Sequence, residues 1–242
     1  EYMGDEWFEN VEAATAQSEE DGTEAWAYDE NGWPSGFGSG KVNGLGIDYQ
    51  QKYLRFEDGE KQTDTTIVNK DGVHFYYDIN PFYVDTLDSK VTHKFIELIY
   101  EPYYAKFKNR ITGFFSDEPQ ISRNGLPWSF VMPETYKEMY GDNLLDKLIE
   151  LFKPVGDYKQ TRIRYWKMVT DLFSNNFMKP IYDWCDSHGL KFTGHLVCEE
   201  SLGSQLATNG AVMPHYEYFH IPGVDKLNRH IEDWFTGIQL GS

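Results

Sequence analysis

Cysteine is scarce: Cys185 and Cys198 are the only two in 242 residues. That is too few for a disulfide framework, and each lies in or beside an apolar segment, where a buried thiol is the ordinary outcome. Basic side chains are also few, 22 Lys and Arg against 39 Asp and Glu, for a formal net charge of −17. Phosphate backbones and anionic lipid surfaces need a basic face, so nucleic acid and membrane are not expected partners. A neutral ligand or a cation suits this charge, which also serves solubility alone. No run approaches the length of a membrane span, and no basic, apolar signal sequence opens the chain. The Cys/His spacing of structural zinc and the Gly-x-Ser-x-Gly elbow of serine hydrolases are both missing. No internal repeat or low-complexity tract is visible. The chain begins Glu1-Tyr2-Met3 rather than with Met. It is therefore expected to be a processed or excised piece of a longer polypeptide, which leaves its compartment open.

Aromatic residues, by contrast, are plentiful: 17 Tyr, 16 Phe and 7 Trp, or 17% of the chain. Such rings fill cores and also stack on the apolar faces of sugars, and composition does not separate the two uses. With 40% hydrophobic residues the chain can build one large domain.

Three short apolar runs each end in a carboxylate doublet: Thr23–Glu30, Thr112–Glu118 and Lys191–Glu200. Each reads as a buried strand. The pattern elsewhere predicts helices over Asp5–Glu20, Ser89–Phe107 and Tyr158–His188, the last interrupted at Pro180. Shorter helices are expected over Pro133–Tyr140 and Asn143–Phe152, with a final one over Val224–Phe235. Further strands are expected at Phe82–Val84 and Ala211–Tyr218, and a β-hairpin insertion at about residues 46–77. Strands alternating with helices imply a parallel α/β sheet of about five strands. The expected fold is a partial (β/α)8 TIM-type barrel, spanning residues 1–242 as a fragment of one catalytic domain.

Carboxylates at one end of successive parallel strands fall on the rim where α/β folds keep their active sites. Strict alternation places Phe114, Ser116 and Glu118 on one face and Phe115 and Asp117 on the other. A glycosidase needs a carboxylic acid whose proton affinity is raised by burial or by a neighbouring charge, and Glu118 beside Asp117 fits that need. The bland alternative is an acidic turn. His195 and Glu199, four apart, are expected to share a strand face, with Glu200 pointing away. His195 can orient a carboxylate, bind a sugar hydroxyl or ligate a metal. Asp29, Glu30, Tyr28 and Trp33 flank a Gly-rich loop and could line a sugar platform; no Lys-Ser/Thr follows, so it is not a phosphate loop. His215, Tyr216 and Tyr218 offer further hydrogen-bonding groups for a polyhydroxylated ligand. Clustered carboxylates also suit calcium, a hard cation. Glu199 and Glu200 would be its ligands, although no cofactor is required.

The stretches Thr23–Val42, Gly113–Gln120, Lys191–Ser201 and Asn209–Leu227 resemble the bacterial family 106 glycoside hydrolases typified by α-L-rhamnosidases. The resemblance implies a catalytic (β/α)8 barrel inside a larger polypeptide, with this chain holding roughly strands two to six. It also implies that Glu118 is the general acid at the end of the fourth strand. Glu199 or Glu200 then becomes its partner or a calcium ligand, and the second catalytic carboxylate can lie on a late strand outside the chain. The expected function is hydrolysis of an oligo- or polysaccharide, with rhamnosidase-like specificity leading. A carbohydrate-binding or catalytically inactive barrel is the alternative, and a metal-dependent hydrolase on the same carboxylates is a third reading.

Overall fold

The computed structural model describes residues 1–225 and 234–241. Helix α1 (Asp5–Asp21) leads to strand β1 (Trp26–Tyr28), a Gly-rich loop, and strands β2 (Gln50–Asp58), β3 (Thr66–Lys70) and β4 (Val73–Val84). Helices α2 (Ser89–Phe95) and α3 (Glu101–Phe107), joined by a π-helical turn over Ile96–Tyr100, return the chain to β5 (Gly113–Asp117). Strand β6 (Leu126–Trp128) and helices α4 (Met132–Tyr140) and α5 (Leu148–Phe152) come next. Helices α6 (Tyr158–Phe173) and α7 (Lys179–Ser187) are joined by a second π-helical turn, Ser174–Met178. Then follow β7 (Lys191–His195), α8 (Leu202–Asn209), α9 (Met213–Tyr216), β8 (Ile221–Pro222) and α10 (Trp234–Gly241).

The apolar runs with carboxylate ends make a parallel sheet in the order β1-β5-β7-β8. Its register puts Ala27, Phe114 and Phe192 side by side on one face, all buried. The rings of Tyr100, Tyr103 and Trp184 surround Phe114, Tyr100 stacking on it at 4.0 Å between centroids. The π turn at 96–100 matters here, because its wider winding lets one continuous helix bury Phe95 against Phe177 and Tyr100 against Phe114. Close approach of β7 to β5 requires glycine at 194: a Cβ there would meet the Ser116 carbonyl oxygen at 2.1 Å, and φ is +155°. The opposite face carries Tyr28, Phe115 and Thr193 in one row and Asp117 and His195 in the next. All five are only partly buried.

A second sheet, antiparallel throughout in the order β3-β4-β2-β6, replaces the simple hairpin expected at residues 46–77. It absorbs Phe82–Val84, expected as a strand of the parallel sheet, as the end of the twelve-residue β4. Phe82 is 82% exposed while Tyr83 and Val84 are buried, so only part of that run enters the core. Ala211–Tyr218 is likewise corrected: Pro214 sits in the first turn of helix α9, where its missing N–H is tolerated, and the strand beside β7 is Ile221–Pro222. Four parallel strands result, and among the described residues no barrel closes. The predicted interruption near Pro180 is present as the π turn just before it. The helix expected over Val224–Phe235 falls mostly on residues 226–233, outside the described residues, as do Lys226 and Leu227 of the last matching stretch.

Phe114 is the centre of the layer between sheet and helices. Replacing it with Ala is expected to cost about 3–5 kcal/mol in urea unfolding. A loss below about 1 kcal/mol would show that this layer does not carry the fold.

Candidate active site at the ends of the parallel strands

The rim is organised by a break in strand alternation. Glu118 follows β5 with φ of +50°, a left-handed conformation that a non-glycine residue seldom adopts. Its N–H still donates to the His195 carbonyl at 3.1 Å. Continued alternation would send the side chain to the helix-covered face of Phe114 and Ser116. The left-handed step turns it to the rim, where donor atoms of Glu118, His195 and Asp225 lie within 4.8 Å of one another. Asp117 keeps its place on the open face. Its Oδ2 accepts the Tyr28 hydroxyl at 2.9 Å, and its Oδ1 lies 3.3 Å from His195 Nε2. His195 Nδ1 is buried and has no hydrogen-bond partner among the described residues.

Trp33 reaches the site from the Gly-rich loop, its indole N–H donating to Glu118 Oε2 at 2.9 Å. Asp29 and Glu30 hold that loop and do not themselves line a sugar site, because both are fully buried. Asp29 accepts the hydroxyls of Ser35 at 2.6 Å and Tyr100 at 2.7 Å. Glu30 accepts the backbone N–H groups of Gly38 and Ser39, each at 2.6 Å, and of Asn31 at 3.1 Å. Ser35 then ties the loop to β5: its N–H donates to the Asp117 carbonyl at 2.8 Å, and its hydroxyl oxygen accepts the Asp117 N–H at 2.8 Å. Burial pushes Asp29 up to about 6 and Glu30 up to about 7, against the hydrogen bonds that favour their anions. Glu118 is raised as well, chiefly by burial, while Trp33, His195 and Arg123 act in the other direction.

Other expected site residues lie elsewhere. β7 ends at His195, and the following turn, with Cys198 at φ +58°, removes Glu199 from the His195 face. Glu199 is buried, accepting the Leu196 N–H at 3.0 Å and the Tyr216 hydroxyl. His215 is fully buried, with Nδ1 2.7 Å from Ser174 Oγ and Nε2 2.8 Å from the Asn209 carbonyl. Burial lowers it to about 4, and with both ring nitrogens taken by internal partners it is not open to a ligand. Tyr216 is spent on Glu199, and Tyr218 packs edge-on against Tyr182. Glu200 is exposed in the turn after β7.

Two side chains at the rim escape sequence reasoning. Arg123 lies 3.7 Å from Glu118 Oε2, and Asp225 follows β8. The signal for Arg123 was a lone cation beyond the Asp-Glu-Pro-Gln turn; for Asp225 it was a further carboxylate after a strand. Glu199 is engaged internally, and among the described residues Glu118, His195 and Asp225 have the spacing of a group that could hold a metal ion.

No family model and no curated protein matches this sequence. Among solved structures the chain is similar to a rhamnosidase from Novosphingobium sp. PP1Y, at 15% identity and a TM-score of 0.46. The match covers 62% of this chain and 16% of that one.

The raised Asp29 and Glu30 fix a pH dependence. A carboxyl whose folded value exceeds its unfolded one contributes most stability below about pH 4, and that contribution is lost as pH rises through about 6–7. Urea unfolding of wild type and of the Asp29→Asn/Glu30→Gln double variant between about pH 4 and 8 reads this directly. The difference should move in the variant's favour by on the order of 6 kcal/mol as pH rises, about 3 kcal/mol from each carboxyl. A pH-independent difference would mean that neither carboxyl holds a proton in the folded protein.

Proposed function

We propose that this rim is the acid–base centre of a glycoside hydrolase, with α-L-rhamnosides as the leading substrates. The observation that carries the reading is Glu118: a carboxyl turned into the rim by a left-handed backbone step, made more basic by burial, and set between an indole donor and the Asp117–His195 pair. These are the attributes of a general acid. In the reaction, the Glu118 proton passes to the glycosidic oxygen, and the C–O bond breaks with its electron pair going to that oxygen. Water then bonds to the anomeric carbon and gives up a proton to a second carboxylate, and proton exchange with solvent afterwards returns Glu118 to its acid form and the second carboxylate to its anion. Glu199 is unsuited to that second role, because it is buried, with Tyr216 and the Leu196 N–H on one of its oxygens. Asp225, with an oxygen within 4.8 Å of Glu118, is nearer than the about 6.5–9.5 Å that leaves room for the attacking water, so a carboxylate on a further strand takes it. The rhamnoside preference rests on the motif resemblance at Thr23–Val42 and Gly113–Gln120.

Further strand–helix units completing a (β/α)8 barrel belong to the same proposal. Parallel sheets are normally covered on both faces, yet the face carrying Tyr28, Phe115 and Thr193 is only partly buried. Among the described residues β1 is also the edge strand of its sheet: Ala25 O and Asp29 N–H bond to β5, so the N–H groups of Trp26 and Tyr28 point away from it. Amide exchange at Trp26 and Tyr28 should be fast in this chain and slowed in the full-length polypeptide. Equally fast exchange in both would remove the barrel.

The same open aromatic face favours one second reading, a sugar-binding module without catalysis. Hydrolysis of a panel of aryl glycosides by the full-length polypeptide and its Glu118→Gln variant separates the two. Loss of turnover by about 10²–10⁴-fold with substrate binding retained is expected. Near-normal turnover in the variant removes Glu118 as the acid. Sugar binding without hydrolysis by either protein selects the binding module.

A further inference from the structure

Two donors converge on one oxygen of Glu118. The Trp33 indole N–H lies 2.9 Å from Oε2, and Arg123 Nη2 lies 3.7 Å from the same atom. Among the described residues, no hydrogen bond reaches Oε1. Arg123 is itself held in place: its Nε donates to Gln120 Oε1 at 2.6 Å, and its guanidinium stacks 4.5 Å from the centre of the Trp33 ring. The indole is thus used twice, its edge on the carboxyl and its face on the guanidinium. A guanidinium set over an aromatic face together with a directed Nε–H is a use of arginine that lysine does not reproduce. Gln120 is fixed in turn, its carbonyl accepting the Thr86 hydroxyl at 3.1 Å and its N–H donating to the Tyr83 hydroxyl at 3.3 Å.

We propose that Arg123, clasped between Gln120 and Trp33, is a positioning residue that decides which oxygen of Glu118 carries the transferable proton. Oε2 accepts from the indole and faces the guanidinium, so it keeps the carbonyl role in the acid form. Oε1 is left to hold the proton and hand it to the leaving oxygen. After transfer, the charge that appears on the carboxylate already has the guanidinium beside it. The geometry serves both protonation states without movement of the clasp. This inference rests on the reading of Glu118 as the general acid and adds to it the orientation of the proton.

Leaving groups test it, because a departing dinitrophenolate needs little protonation and a departing phenolate or alkoxide needs much. A series of aryl α-L-rhamnosides, from 2,4-dinitrophenyl to phenyl, is compared in the full-length wild type and in Arg123→Gln, Trp33→Phe and Glu118→Gln. Arg123→Gln is expected to slow the phenyl substrate about 10–100-fold and the dinitrophenyl substrate less than about threefold. Trp33→Phe, which keeps the ring and removes the N–H, should show the same split. Arg123→Lys, which restores charge without stacking, should recover only part of the rate. Equal slowing of both substrates in the Arg123 and Trp33 variants, with the split present in Glu118→Gln, would overturn the clasp and leave the acid intact. Absence of the split in Glu118→Gln, or no hydrolysis of any member by the wild type, would bring down the acid reading and the clasp with it. Arg123 is 41% exposed at its side chain, so its replacement leaves the core untouched.

Discussion

Everything at the rim depends on how two buried carboxyls, Asp29 and Glu30, are satisfied. Each is taken fully from water, which is tolerable only because hydroxyls and backbone N–H groups replace the lost hydration. Their partners are the residues that need to be held. Tyr100 comes from the helix layer, Ser35 from the loop beside β5, and Gly38 and Ser39 from the loop's far limb. The doublet therefore converts a glycine-rich segment, with no regular structure of its own, into a fixed shelf. Trp33 stands on that shelf, and through Trp33 the position of Glu118 is set.

The antiparallel sheet supports the same shelf from the other side. The Tyr83 hydroxyl, near the end of β4, donates to the Ser35 carbonyl at 2.7 Å. Gln51 of β2 donates to the Ile121 carbonyl at 2.8 Å, just past the Glu118 turn. A buried ion pair, Lys52 with Asp85 at 3.4 Å, lies where β2 meets the chain leaving β4. Such a pair contributes little net stability once desolvation is counted, but removal of either partner would leave a lone buried charge. What resembles an insertion in the sequence is structurally the buttress of the candidate site.

Much of the parallel layer was legible because its strands are short apolar runs closed by polar doublets, and because the helices show clear apolar stripes. Phe82–Val84 misled because the end of a long antiparallel strand can look like a short separate one; its exposed Phe82 is indistinguishable in sequence from a core Phe. Ala211–Tyr218 misled because Pro214 reads as a strand breaker when it is also at home in the first turn of a helix. The chemistry of the site was legible at the level of residue type at Asp117, Glu118, Trp33 and His195. Its geometry was not. Periodicity assigns Glu118 to the wrong face, since one positive φ reverses the side chain and no neighbouring residue announces it. The burial of Glu199 and His215 depends on contacts with Tyr216, Ser174 and Asn209, which are set only when α8 and α9 fold over the end of β7.

The π turn at residues 96–100 ties helix winding to site electrostatics. An α-helix advances about 100° per residue, so the one surplus residue of a π turn changes which side of the downstream helix faces the sheet. Tyr100 closes that turn and delivers its hydroxyl to Asp29. The angular phase of a helix on the outside of the molecule thereby fixes a hydrogen bond inside it. Shortening this helix by one residue would preserve its length to within about 1.5 Å, yet would rotate the phenol off the carboxyl and release the shelf that it anchors.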